Sequence, residues 1–72
     1  MATGTVKWFN DAEGSGIITP DDGGEDLFAH FKNIQGDGFE TLFRGQKVEF
    51  QVAHGPQGLH ADFIRPIQDL LT

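Results

Sequence analysis

Short runs rich in Val, Ile, Phe and Thr alternate along this chain with clusters of Gly, Pro, Asp and Asn, and no stretch sustains the 3.6-residue period of a helix. The pattern predicts strands over residues 4–10, 15–19, 26–30, 47–53 and 59–65. Their terminators, Asp11-Ala12-Glu13-Gly14 and Pro20-Asp21-Asp22-Gly23-Gly24, are turn chemistry. Residues 31–34 read as a single 3₁₀ turn, residues 35–45 as a glycine-containing loop holding Phe39 and Phe43, and residues 54–58 as the last hairpin. The chain from Pro66 onward, residues 68–72 above all, reads as a loosely ordered tail.

Alternation then assigns faces, because successive side chains of a strand point to opposite sides. In the third run Leu27 and Ala29 point inward, which leaves Phe28 and His30 outward. Gly16 and Ile18 share one side of the second run, with Ser15 and Ile17 on the other. Val48, Phe50 and Val52 share a face and are expected in the core. In the last run Phe63 and Ile64 fall on opposite sides, with Ile64 the expected core residue. Strict alternation would put Val6 and Trp8 on one face, so Val6 in the core and Trp8 at the surface together require a β-bulge. Phe9, Phe43 and Phe50 are assigned mainly to packing. Five strands on so short a chain are best relieved of exposed edges by closing into a small barrel, so the expected fold class is all-β, a five-stranded antiparallel barrel of the OB type.

With 72 residues there is room for one domain and one binding surface, and little for an enzyme cleft. Cysteine is absent, which removes disulfides, thiolate nucleophiles and cysteine-ligated zinc together. The three histidines, His30, His54 and His60, form no zinc-ligand spacing, and the acidic stretch from Asp21 to Asp26 lacks that of a calcium loop and reads as a turn. Gly14-Ser15-Gly16 has no helix after it, so it is read as a bend or a close strand approach, not a phosphate cradle. No carboxylate stands with a nucleophile or histidine at motif spacing. No catalytic residue, metal, cofactor or small-molecule substrate is expected. The amino terminus has neither a basic nor an apolar leader region, and no run approaches the ~20 apolar residues of a membrane span, so a cytoplasmic location and no membrane partner are expected.

Charge argues against a polyanion partner at first sight, since eleven acidic residues against five basic give a net charge of −6. The aromatic side chains argue the other way. Trp8, Phe28, His30, Phe31 and Phe39 offer flat faces, and base stacking on such a platform is worth ~1–3 kcal/mol per base without demanding many charges. Lys7 beside them can meet a phosphate, and acids farther off than ~8–10 Å are largely screened at physiological salt.

Four stretches, Gly4-Thr5-Val6-Lys7-Trp8-Phe9-Asn10, Ile18-Thr19-Pro20-Asp21-Asp22-Gly23, Asp26-Leu27-Phe28-Ala29-His30-Phe31 and Gly45-Gln46-Lys47-Val48-Glu49-Phe50, together with Gly55-Pro56-Gln57-Gly58, resemble the bacterial cold-shock proteins, and the resemblance runs from Thr3 to about Ile67. It implies an OB-fold barrel whose exposed aromatics stack on bases of single-stranded RNA or DNA, acting as an RNA chaperone. Residues 27–31 resemble the second ribonucleoprotein motif, and residues 13–18 stand in the place of the first. There the family commonly reads Lys-Gly-Phe-Gly-Phe-Ile, whereas this chain has Glu13-Gly14-Ser15-Gly16-Ile17-Ile18. Two rings are replaced by Ser15 and Ile17, and an anion stands for a cation. At ~1–3 kcal/mol per ring the pair could cost ~2–6 kcal/mol, so binding weaker than is usual in the family is expected. Phe63 stands where the family commonly has Asn, and its ring near His60 is expected to compensate in part. The expected interface is thus Lys7, Trp8, Ser15, Ile17, Phe28, His30, Phe31, Phe39, His60 and Phe63. The alternative reading is an acidic OB-type module that has lost most nucleic-acid affinity and works through protein contacts or self-association. A monomer is expected in dilute solution, with a domain-swapped homodimer exchanging the segment from about Lys47 onward accessible at high concentration.

Overall fold

The computed structural model describes residues 2–35, 42–56 and 58–67. Five strands, β1 (Ala2–Asn10), β2 (Ser15–Pro20), β3 (Leu27–His30), β4 (Lys47–Gly55) and β5 (Gly58–Pro66), close into a barrel in the order β1-β2-β3-β5-β4, with a 3₁₀ turn at Phe31–Asn33 after β3. Neighbours are antiparallel except at the closure, where β3 and β5 run parallel through Phe28 and His60. The expected five-strand barrel is therefore present, with that one pairing of opposite sense. β4 and β5 extend to a Gly55–Gly58 pair, so the strands run further and the connecting loop is shorter than the 54–58 loop read from sequence.

Val6, Ile18, Leu27, Val48, Phe50 and Ile64 are the largest fully buried side chains and come from all five strands. A ring such as Phe50, excluded from water at the centre, is worth roughly 3–5 kcal/mol against alanine. Leu27 and Ala29 are buried while Phe28 is exposed, as the period of two requires.

Two bulges decide where alternation breaks. Val6 pairs with Ile18 and Trp8 with Ile17, so Lys7 is the extra residue, which sends Val6 inward and Trp8 outward on one strand. On β5, Asp62 pairs with Gln51 and Arg65 with Glu49, so Phe63 and Ile64 together oppose Phe50. Ile64 is buried and Phe63 is exposed, with a positive φ of 50°.

Three expectations are corrected. Val52 is exposed, because β1 pairs with β4 only as far as Ala2 opposite Phe50, and Val52 lies beyond that cover. Phe43 is 67% exposed and so is not a packing residue; Phe9 packs against the core and Phe50 lies within it. Pro66 ends β5 and the Ile67 N–H donates to Lys47 O at 3.0 Å, so neither belongs to a loose tail; residues 68–72 lie outside the described residues.

Candidate nucleic-acid interface

The strand registers bring four of the expected residues into one row. Trp8 pairs with Ile17, Ile17 with Phe28, and Phe28 with His60, across β1, β2, β3 and β5. Because paired residues project to the same side of a sheet, and Ile18, Leu27, Ala29 and Ala61 face inward, this row lies on the outer face. Trp8 and Phe28 are 45% and 41% exposed. A second row runs beside it, Asn10 to Ser15 to His30.

Phe31 follows at the start of the 3₁₀ turn, exposed, with its ring 4.7 Å from that of His30 and tilted by 34°. Its position rests on glycine. The Phe31 N–H donates to Gly14 O at 2.8 Å, and a Cβ on Gly14, whose φ is 68°, would stand 2.5 Å from the ring edge. Gly16 serves the β1 bulge in the same way, since a Cβ there would lie 2.3 Å from Trp8 O. The Gly14-Ser15-Gly16 sequence is thus a double close approach, which is the plain reading its spacing suggested.

His30 caps the turn, its Nδ1 accepting from the Lys32 N–H at 3.2 Å, which puts the neutral ring's proton on Nε2. His60 on β5 is half-buried, and its side chain makes no hydrogen bond among the described residues. Between β3, the 3₁₀ turn and the β4–β5 turn lies a cleft of about 380 Å³ walled by Phe28, His30, Asn33, Pro56, Leu59 and His60. Asn33, Pro56 and Leu59 are not foreseen from the sequence. Asn33 Nδ2 donates to Ala61 O at 3.3 Å, holding the turn against β5. The parallel β3–β5 pairing, with the Ile34–Ile64 bridge beside it, brings these distant parts of the chain together.

Charge is sparse. Lys7 Nζ lies 3.2 Å from Asp26 Oδ2, Lys47 Nζ 2.8 Å from Asp21 Oδ1, and Arg65 Nη1 3.9 Å from Glu49 Oε1. Lys32 and Arg44 form no ion pair among the described residues. The Lys7 pair is solvent-exposed, and exposed pairs are worth only ~0–1 kcal/mol, so a phosphate can compete for the ammonium. Glu13 is exposed in the turn before β2. Phe63 is 46% exposed but sits at its bulge, outside the Trp8-to-His60 row, and Phe39 lies outside the described residues. Among the described residues there is no cluster of three or more metal-ligating side chains, and no helix long and apolar enough to cross a membrane.

The closed five-stranded barrel agrees with what known proteins show. The model of the 'Cold-shock' DNA-binding domain matches residues 2–67. The chain is 64% identical over 67 residues to the cold shock-like protein CspA of Stigmatella aurantiaca, covering 93% of this chain and 98% of that one. It is 56% identical over 68 residues to the cold shock-like protein CspD of Escherichia coli, covering 94% and 92%. Among solved structures, drosophila Unr CSD456 superposes with a TM-score of 0.76 at 25% identity, over 93% of this chain and 26% of that one. With a family match over nearly its whole length and a barrel of the same architecture, the chain belongs to the cold-shock domain family of nucleic-acid-binding proteins.

Proposed function

We propose that this chain is a cytoplasmic RNA chaperone or transcript antiterminator that holds single-stranded RNA or DNA unpaired by stacking bases on its outer face, with affinity weaker than is usual in the family. The row Trp8, Ile17, Phe28, His60 carries the reading, because it continues across four strands without a buried or charged interruption. Successive strands are ~4.8 Å apart, so the row spans about 14 Å, enough for consecutive bases. Phe31 and His30 extend it at one side, and Lys7 supplies a cation next to Trp8. Phe39 and Phe63 add further rings to the same strand of nucleic acid.

Ile17 lies between Trp8 and Phe28, so the middle of the platform is aliphatic. A base there keeps apolar contact but loses ring-on-ring stacking. Ser15 removes a second ring beside His30, and Glu13 opposes phosphate. These three positions motivate the weakened affinity. The protein acts as a monomer in dilute solution, and exchange of the β4–β5 hairpin gives a dimer only at high concentration.

A titration of Trp8 fluorescence with oligothymidine at several salt concentrations tests the reading. Quenching is expected, with a shallow salt dependence because few cations meet phosphates. No response at any salt would sink it and favour an acidic module working through protein contacts.

A further inference from the structure

Phe28 stands between two imidazoles. His60 is its partner across the parallel β3–β5 pair, and His30 lies two residues along β3; both line the same cleft. We propose that protonation of this pair, His60 foremost, adds positive charge for the phosphate backbone to the single cation that Lys7 brings, so that single-strand binding takes up protons and strengthens as the pH falls below neutral. The inference rests on the single-strand reading above and assigns these two side chains a role in it.

The surrounding charges leave that role open. Lys7 is engaged by Asp26 near the start of β3, and Lys47 and Arg65 are engaged by Asp21 and Glu49. Lys32 on the 3₁₀ turn is the nearest cation along the chain to His30. Asp62 lies two residues from His60 on β5, where its Oδ1 accepts from the Phe63 N–H. Across the hairpin His60 pairs with Ala53, and β4 adds only the exposed His54 near this end. From β2, Ser15 and Ile17 bring no charge. Among the described residues, a protonated imidazole on this face therefore meets one nearby carboxylate, Asp62, already hydrogen-bonded, and is otherwise open to an incoming phosphate.

The two histidines differ in the hydrogen bonds their rings make. His30 Nδ1 accepts the Lys32 N–H, and a proton on that nitrogen would forfeit the cap. Among the described residues the His60 ring has no such bond to lose, and its Nδ1 edge lies beside Gly55, where a Cβ would stand 3.0 Å away. Glycine at 55 is what gives the ring its place on the cleft wall. Linkage is reciprocal: if bound phosphate favours the imidazolium, then protonation favours phosphate by the same factor. Carboxylates titrate below the range in which imidazoles do, so a change between about pH 8 and about pH 6 reports histidine or the chain's amino group.

The test is the affinity of the full chain for labelled oligothymidine at about pH 8 and about pH 6, by anisotropy, for the parent protein, His60→Gln, His30→Gln, the double variant and His54→Gln. The parent is expected to bind about threefold or more tighter at the lower pH. His60→Gln should lose most of that gain, the double variant all of it, and His54→Gln none. Equal parent affinity at both pH values overturns the proposal while leaving the single-strand reading intact. A gain that survives in the double variant assigns the proton to another group and also overturns it. Absence of binding at both pH values overturns the proposal and the single-strand reading together.

Discussion

Trp8 stands directly opposite Ile17 across β1 and β2, at the place where the Lys7 bulge turns the indole from the core side to the solvent side. The partner of this exposed indole is thus an aliphatic side chain, which in turn faces Phe28 on β3. Replacing Ile17 and Ser15 with phenylalanine, together with Glu13→Lys, restores two rings and a cation on the outer face. The triple variant should bind oligothymidine about tenfold tighter or more, since each ring is worth ~1–3 kcal/mol. Both substituted strand positions are half-buried and face away from the core, so the melting temperature is the control for an intact barrel. Unchanged affinity in a folded triple variant would mean that this face is not the one that binds.

Phe28→Ala removes the ring at the crossing of the row and the cleft. It should weaken single-strand binding by ~1–3 kcal/mol while changing the unfolding midpoint little, because the ring is outward. Calorimetry and urea denaturation on the same preparation separate the two effects. A large loss of stability with affinity preserved would assign Phe28 to packing instead.

How far the chain can be read without a structure follows from where its strands stay regular. The β3 faces are legible because Leu27, Phe28, Ala29 and His30 alternate without a break. The same rule fails at Val52, which keeps its inward parity but has passed the end of β1, and strand length relative to a distant neighbour leaves no local mark. On β5 the signal is present but easily missed: Ala61 and Ile64 are both buried, and inward residues three apart cannot fit a period of two without an extra residue. The cleft is the least legible feature. It needs Phe28 beside His60 and Asn33 bonded to Ala61, contacts across the parallel closure of the barrel that no spacing within a single run encodes. The outward faces of Trp8 and Phe28 could be named from sequence, but their order across the strands could not.

Phe63 occupies the first position of a bulge in the left-handed region, a place where glycine is usual and asparagine is tolerated. A bulky residue held there stores strain, while its exposed ring recovers little by burial. Phe63→Asn should therefore raise stability by about 0.5–1 kcal/mol, read as a higher urea midpoint at unchanged slope. Its effect on single-strand affinity should be smaller than that of Phe28→Ala, since no ladder pair joins Phe63 to the row. A lower midpoint would show that the ring stabilises the barrel.

Asp21, at the turn after β2, ties three strands at one end of the barrel. Its carboxylate accepts from Lys47 Nζ at 2.8 and 2.9 Å and from the Thr3 hydroxyl at 2.9 Å, and Lys47 reaches Thr5 Oγ1 at 3.3 Å as well. The hydrogen bond from Lys47, then that from Thr3, hold the Asp21 carboxyl below the usual aspartate value, outweighing a small opposing effect of burial. A carboxylate with a lowered folded-state value binds fewer protons folded than unfolded, so its contribution is complete above the ordinary value of about 3.9 and is lost as the pH falls through the lower, folded value. Asp21→Asn, which keeps an acceptor but not the charge, should accordingly melt below the parent at neutral pH, with the gap closing as the solution is acidified below the ordinary aspartate range. Because the pair is solvent-exposed, added salt should narrow the same gap at neutral pH. Melting curves of both proteins across pH and salt decide the point: a gap that stays constant down to strong acid would mean that Asp21 acts through its turn geometry and not through its charge.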